Sequence, residues 1–251
     1  MIAIIIFFVA HWTTSLFFHT FFLHRYASHQ MYTTGKFRER LFYFLTWLSQ
    51  GSSFLVPYAY GVLHRMHHKF SDSEKDPHSP HFFKDVFSMM WTTRVIYRCV
   101  LTGKSLPDSQ FTTEYLPRWK HLDYIGNSLF TRGVFVVAYI LFYIYFAPSG
   151  WYFLLLPIHI LMGPIQGAIV NWCGHKYGYS NFDNGDHSKN SEPFGIFLFG
   201  ELFQNNHHKF PNSANFAKKW FEFDPTYQVM KLMNALRIIR LKQANVKVDP
   251  S

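Results

Sequence analysis

Eight of the fifteen histidines fall into three short clusters and one outlier. They are His24 and His29 in HRYASH, His64, His67 and His68 in HRMHH, His175 in NWCGH, and His207 and His208 in QNNHH. Imidazole is the commonest protein ligand for redox-active first-row metals. One ion takes about four to six ligands, so eight imidazoles point to two ions. Each cluster abuts an apolar stretch, which puts the expected site at a membrane surface.

Spacing refines this. In HRMHH the i, i+3 and i+4 positions lie within about 60° of arc on an α-helix, so His64, His67 and His68 are expected to aim in one direction. His207 and His208 repeat that pattern, with Gln204 at the first position. An offset of five residues turns about 140° around an α-helix, so His24 and His29 are not expected to share a face. They serve one site only if the helix frays there; otherwise each binds a different metal. Asn171 and His175, one helical turn apart, can bring an imidazole directly and an amide through water to a common centre. No Glu plus Glu-x-x-His pairing of the carboxylate-bridged bundles is present.

The elements that must position these residues are membrane helices. The chain is 49% hydrophobic and 20% aromatic but only 16% charged, against about 25% charged in an ordinary soluble domain. Residues 1–23 carry no Asp, Glu, Lys or Arg and suit one crossing; no signal-peptide pattern is present. Basic residues follow directly, which predicts a cytoplasmic C-terminal end and an outward N-terminus. Residues 41–63 are apolar but carry a histidine cluster at each end, so an in-plane or re-entrant helix is expected. Residues 64–132 read as cytoplasmic, 133–147 and 151–171 as a transmembrane hairpin, and 173–251 as cytoplasmic. The run KLMNALRIIRLKQ, residues 231–243, has the period of an amphipathic helix. The expected fold is all-α, a single domain over 1–251, with membrane helices under a cytoplasmic helical cap.

The net charge of +9 comes with no groove-reading motif, so nucleic acid is not an expected partner. Cys99 and Cys173 form no CxxC pair, which argues against an iron–sulfur cluster or cysteine-ligated zinc. His11, His19 and His159, inside apolar segments, are read as buried hydrogen-bonding residues. His78 is read as a partner orienting a ligand.

HRYASH, HRMHHKFSDSEKDPH, NWCGH and QNNHHKFP, in this order, resemble the boxes of membrane-bound fatty acid desaturases of the acyl-CoA desaturase type. The resemblance runs from His24 to about Tyr227 and includes Lys69-Phe70-Ser71, Asp76-Pro77-His78, Gly200-Glu201 and Phe210-Pro211. It implies two ferrous ions held by nine histidines, with one asparagine reaching a metal through water. Eight positions fall on His24, His29, His64, His67, His68, His175, His207 and His208, and the asparagine on Asn171. The ninth falls on Gln204, a departure that leaves either a carbonyl ligand or a position for water. The family usually has a helical hairpin before the first box, where this chain has room for one crossing.

The resemblance implies O₂-dependent insertion of a cis double bond into a fatty acyl chain, with Δ9 as the family default. The substrate would be carried on CoA, a carrier protein or a lipid, and no catalytic residue is expected beyond the metal ligands. No electron-carrying motif is visible, so an external donor is implied, a ferredoxin or a b-type cytochrome with its reductase. Arg65, Lys69, Lys75, Lys176, Lys189, Lys209, Lys218 and Lys219 are candidates to meet an anionic carrier or headgroup. A di-iron fatty acyl or alkyl hydroxylase of the same superfamily is the nearest alternative. A zinc membrane hydrolase or transporter would leave half of the histidines without a purpose, and a transporter would bind near the bilayer midplane.

Overall fold

With no charge to stop it, the first helix begins at once and runs further than its apolar residues. The structure, a computed structural model, describes residues 1–242. Helix α1 spans Ile2–Phe18 and continues unbroken through His19–Ser28 in the wider π register. The His29 N–H bonds the His24 carbonyl at 3.3 Å, an i to i+5 link. The polar run HRYAS can stay helical because the charge of Arg25, fully buried, meets Asp224 at 2.7 Å. Thr20 Oγ1 accepts a further bond from Arg25 at 2.6 Å, and the guanidinium lies 4.0 Å from the Phe216 ring.

The in-plane or re-entrant helix expected over 41–63 is two helices, α2 (Lys36–Gln50) and α3 (Pro57–Phe70), joined by a tight turn at Gly51–Ser53. Two residues force the break. Gly51 takes φ +52°, and a side chain there would collide with the Tyr139 hydroxyl. Pro57 lacks an N–H and so opens a helix rather than continuing one.

The segment 64–132 is not uniformly polar surface. It holds α4 (Val86–Thr102), closed at its start by an Asp85–Ser88 capping box and at its end by Gly103 at φ +69°. The short α5 (Lys120–Asn127) follows. Phe87 and Trp91 on α4 are exposed.

Helix α6 (Leu129–Phe146) is long and apolar enough to cross a membrane, as is Ile2–Ser28. The second arm of the expected hairpin is bent. A turn at Gly150–Leu155 and α7 (Leu156–Ile160) meet α8 (Met162–Cys173) at 71°. Pro164 has no N–H to give the Ile160 carbonyl, so the helix breaks. The Ser52 hydroxyl bonds that carbonyl at 3.0 Å, and the Ser53 hydroxyl accepts the Gly163 N–H at 2.9 Å. The tight turn after α2 thus satisfies the backbone groups that the bend frees, which apolar surroundings require.

Beyond Cys173 the chain is mostly irregular, with α9 (Gln204–Lys209) and α10 (Pro225–Ala235). The amphipathic helix expected over 231–243 stops at Ala235, and Arg237 takes φ +56°. Strand β2 (Arg240–Leu241) instead pairs antiparallel with β1 (Tyr32–Thr33). Gln243 lies outside the described residues. Around the π segment, Phe21, Phe22, Tyr26, Tyr32, Tyr43, Phe54, Phe203 and Phe216 form the largest buried apolar cluster.

Candidate metal centre

The π register decides where the first cluster points. With i to i+5 bonding, residues five apart lie one above the other, so His24 and His29 share a face. The structure overturns the α-helical expectation that they do not. Both join His64, His68 and His207 in one group whose donor atoms lie within 4.8 Å of one another. The Nε2 atoms form a chain: His29 to His64 at 2.8 Å, His64 to His68 at 3.0 Å, His68 to His207 at 2.9 Å, His207 to His24 at 2.9 Å.

His67, His175 and His208 make a second group within the same limit. So α3 and α9 each divide their histidines between the two groups, where a common direction for His64, His67 and His68 was expected. Each ring of the second group presents Nδ1 to its own carboxylate. His67 meets Asp76 at 2.9 Å, His175 meets Asp72 at 2.9 Å, and His208 meets Asp186 at 2.6 Å. In the first group, among the described residues, only His24 has such a partner, Glu201, at 2.5 Å. Thr20 also donates to Glu201.

These residues fit a metal. A ring whose Nδ1–H donates to a carboxylate leaves a lone pair on Nε2. The Nε2 atoms of His67 and His208 nonetheless face each other at 3.2 Å, and the buried His175 Nε2 has no partner. Two lone pairs cannot hydrogen-bond; a shared cation satisfies both. Imidazole nitrogens lie about 2.1 Å from a divalent ion, so donors at right angles are about 3 Å apart, the spacing seen.

The electrostatics agree. Burial, reinforced by neighbouring imidazoles, holds His29, His64, His68 and His207 well below their ordinary value. Burial also lowers His67 and His208, with Asp76 and Asp186 partly opposing it. It would raise the Glu201 carboxyl, but the charge and hydrogen bond of His24 outweigh it and bring Glu201 down to about 2. Asp72, Asp76 and Asp186 likewise fall below the carboxylate range, burial being outweighed chiefly by the histidine each faces. Six imidazoles whose proton affinity burial lowers, beside ionised carboxylates, are what a cation needs.

A cavity of about 700 Å³ opens beside the groups. His24, His64, His78, Asn171, Gln204 and Glu201 line one part of it, and Leu55, Leu63, Met90, Trp91, Ile160 and Val170 supply apolar wall. Asn171 and Gln204 therefore both reach the site region. The Gln204 amide also donates to the Glu201 carbonyl at 2.6 Å.

Sequence reasoning missed several residues here. Asp72, Asp186 and Glu201 stand on no spacing rule relative to the rings they hold; Asp72 is separated from His175 by 103 positions. The basic residues of the cavity are Arg94, Arg98 and Arg132, not those singled out from the sequence. Arg65 instead ties five backbone carbonyls, of Ala27, Ser28, Phe111, Glu114 and Tyr115. Lys176 lies over Trp172, and Lys218 bonds Ser213. His11 and His159 are buried and paired at 2.6 Å, and His19 meets the Tyr60 hydroxyl at 3.1 Å, in keeping with hydrogen-bonding roles.

Comparison with known proteins adds a separate line. The family described as fatty acid desaturase matches residues 1–235. An sn-1 stearoyl-lipid 9-desaturase of Synechocystis is 28% identical over 230 residues, 90% of this chain and 66% of the relative. An acyl-CoA 5-desaturase of Anemone leveillei is 27% identical over 85% of this chain and 63% of its own length. A chloroplastic palmitoyl-monogalactosyldiacylglycerol delta-7 desaturase of Arabidopsis thaliana is 31% identical over 86% of this chain. The chain spans 66%, 63% and 56% of the lengths of these three curated relatives.

Proposed function

The chain belongs to the fatty acid desaturase family, and from that premise we propose that it inserts a cis double bond into a fatty acyl chain, using O₂ at two iron ions. With its family and two helices fit to cross a bilayer, it is a membrane protein. The observation that carries the proposal is the sorting of eight buried or half-buried imidazoles into two groups beside one apolar-walled cavity.

His24, His29, His64, His68 and His207 would hold one ion, and His67, His175 and His208 the other, with Asn171 and Gln204 near enough to complete them directly or through water. When bound, the pair of ions supplies the oxidising power that unactivated C–H bonds demand, by reducing O₂. The protein's part is placement. The cavity walls of Leu55, Leu63, Trp91 and Ile160 can hold an extended acyl chain and exclude water from it. A misplacement of about 1 Å can cost roughly 100-fold in rate, so walls that hold the chain in place would also select which C–C bond reacts. Carboxylates on Nδ1 of His24, His67, His175 and His208 keep those rings from turning away.

Arg132, just past the middle of the chain, donates to the carbonyls of Ser52 at 2.5 Å and Phe54 at 2.7 Å. Among the described residues it has no carboxylate partner. Its positive charge, with Arg94 and Arg98, suits an acyl chain whose head is anionic, on CoA, a carrier protein or a lipid. The positive-inside bias supports a cytoplasmic site, where a ferredoxin or b-type cytochrome would deliver electrons.

Lipid profiling of cells producing the chain tests this. New unsaturated acyl chains with a cis double bond, Δ9 by family default, are expected, and His67→Ala should abolish them while membrane insertion persists. Hydroxylated chains, or no product despite a competent donor and loaded iron, would reject desaturation.

A further inference from the structure

One face of α4 changes character along its length. Phe87, Trp91, Arg94 and Arg98 recur at steps of three and four residues, so they stand in one row. All four line the cavity beside the metal groups, and all four are also exposed, Phe87 to 83% and Trp91 to 63%. A side chain that is both lies at an opening. Leu129 and Leu161, likewise exposed and cavity-lining, border it from α6 and from the bend before α8. Leu129 starts a helix apolar enough to cross a membrane, and Leu161 joins the two halves of the bent pair. Four large apolar side chains bare around one opening are unfavourable in water and at ease in hydrocarbon. The opening is therefore turned toward lipid.

The other end of the row is cationic. Arg94, Arg98 and Lys104 border a hollow of about 220 Å³ that shares both arginines with the cavity. Among the described residues none of the three has a carboxylate partner. Glu201, the one carboxylate among the cavity residues, is held by His24 and Thr20, and Arg132 is committed to the carbonyls of Ser52 and Phe54. From Trp91 to Arg98 the helix rises about 10 Å, so apolar wall gives way to two free guanidiniums over a short span. Guanidinium meets phosphate through paired, charge-assisted hydrogen bonds. An amphiphile with an acyl chain at one end and a phosphate at the other matches that order. We propose that the protein takes its acyl group from an intact phospholipid of the bilayer, which slides sideways between α4, α6 and α8 and rests its phosphate on Arg94 and Arg98. This deepens the desaturase reading and rests on it. Of CoA, a carrier protein and a lipid, the lipid alone already has its acyl chain in the phase that the opening faces.

The test separates chains that are being made from chains already in lipid. A bacterial host lacking acyl-CoA synthetase, and supplied with a competent electron donor, is fed radiolabelled acetate. Fatty acid synthesis is then stopped chemically, and only afterwards is the protein induced. Labelled saturated chains already esterified in phospholipid should become unsaturated. Arg94→Gln with Arg98→Gln should cut that conversion at least about 10-fold, as loss of charge-assisted bonds to a phosphate does. Bound metal per chain and the thermal midpoint of that variant should stay at wild type, and the double lysine variant, which keeps the charge, should lose less. Unsaturation confined to chains made while synthesis runs would assign the substrate to CoA or a carrier protein, overturning the proposal with desaturation intact. Undiminished conversion in the double glutamine variant, or a loss matched by a falling midpoint, would overturn the phosphate site. No unsaturated chains under either condition would defeat the desaturase reading itself, and the proposal with it.

Discussion

In the five-imidazole group one ring leans on a carboxylate, whereas in the three-imidazole group every ring has its own. The difference lies mainly in where carboxylates stand, since α3 and α9 supply histidines to both groups. His24 and His29 sit on one π-helical face and His64 and His68 one turn apart on α3, so helix geometry aims four of the five. His175 lies just past the end of α8, and Asp72 and Asp186 lie in loops. Asp72, Asp76 and Asp186 reach the far nitrogens of the second group, those of His67 on α3 and His208 on α9 as well as that of His175. The two halves of one centre thus differ in how far carboxylates orient them.

The strongest way to break this contrast is to remove a ring from the five-imidazole half. His68 Nε2 touches both His64 and His207, so His68→Ala should cost one of two bound ions and all desaturation, measured by metal analysis and product profiling. Retention of both would show that the five rings do not act as a set. A smaller effect sharpens it. Asp72→Asn, Asp76→Asn and Asp186→Asn should each weaken metal binding by about 10–100-fold, whereas Glu201→Gln should do less, since four of its five rings do not depend on it. Equal losses in titrations of all four variants would erase the distinction.

A separate effect is in acid. Burial holds His29, His64, His68 and His207 well below their ordinary value of about 6.5. As pH falls through 6.5 the unfolded chain takes up protons that the folded one refuses, so their contribution is present above that pH and lost below it. The thermal midpoint of the metal-free protein should therefore drop between about pH 7.5 and 5.5. A midpoint constant over that range would mean the rings are less secluded than they look.

Much of the centre was legible in the residues. Eight histidines at four sites could be read as ligands, and the structure brings all eight into two groups. Their division could not be read, because HxxHH spacing gives a shared face but not which neighbour each ring meets. The pairing of His24 with His29 was misread because an α-helix was assumed. The π segment carries a buried Arg25 whose salt bridge is to Asp224, distant in sequence. The interruption of 41–63 was legible in Gly51 and Pro57, whereas the bend at Leu161 had a local signal in Pro164 that the apolar run of 151–171 masked. The short β1–β2 pairing replaced a predicted helix because Tyr32 and Leu241 meet only in the folded chain.

The tie between Arg25 and Asp224 also sets an order on biosynthesis. The first helix leaves the ribosome nearly two hundred residues before its counter-ion does, and Glu201 too emerges long after His24. Until then the π segment holds a guanidinium without that counter-ion, and His24 waits for its carboxylate until residue 201 is made. Metal loading is therefore a late event in the life of the nascent polypeptide, and a message truncated before codon 224 would yield an inserted but metal-poor product.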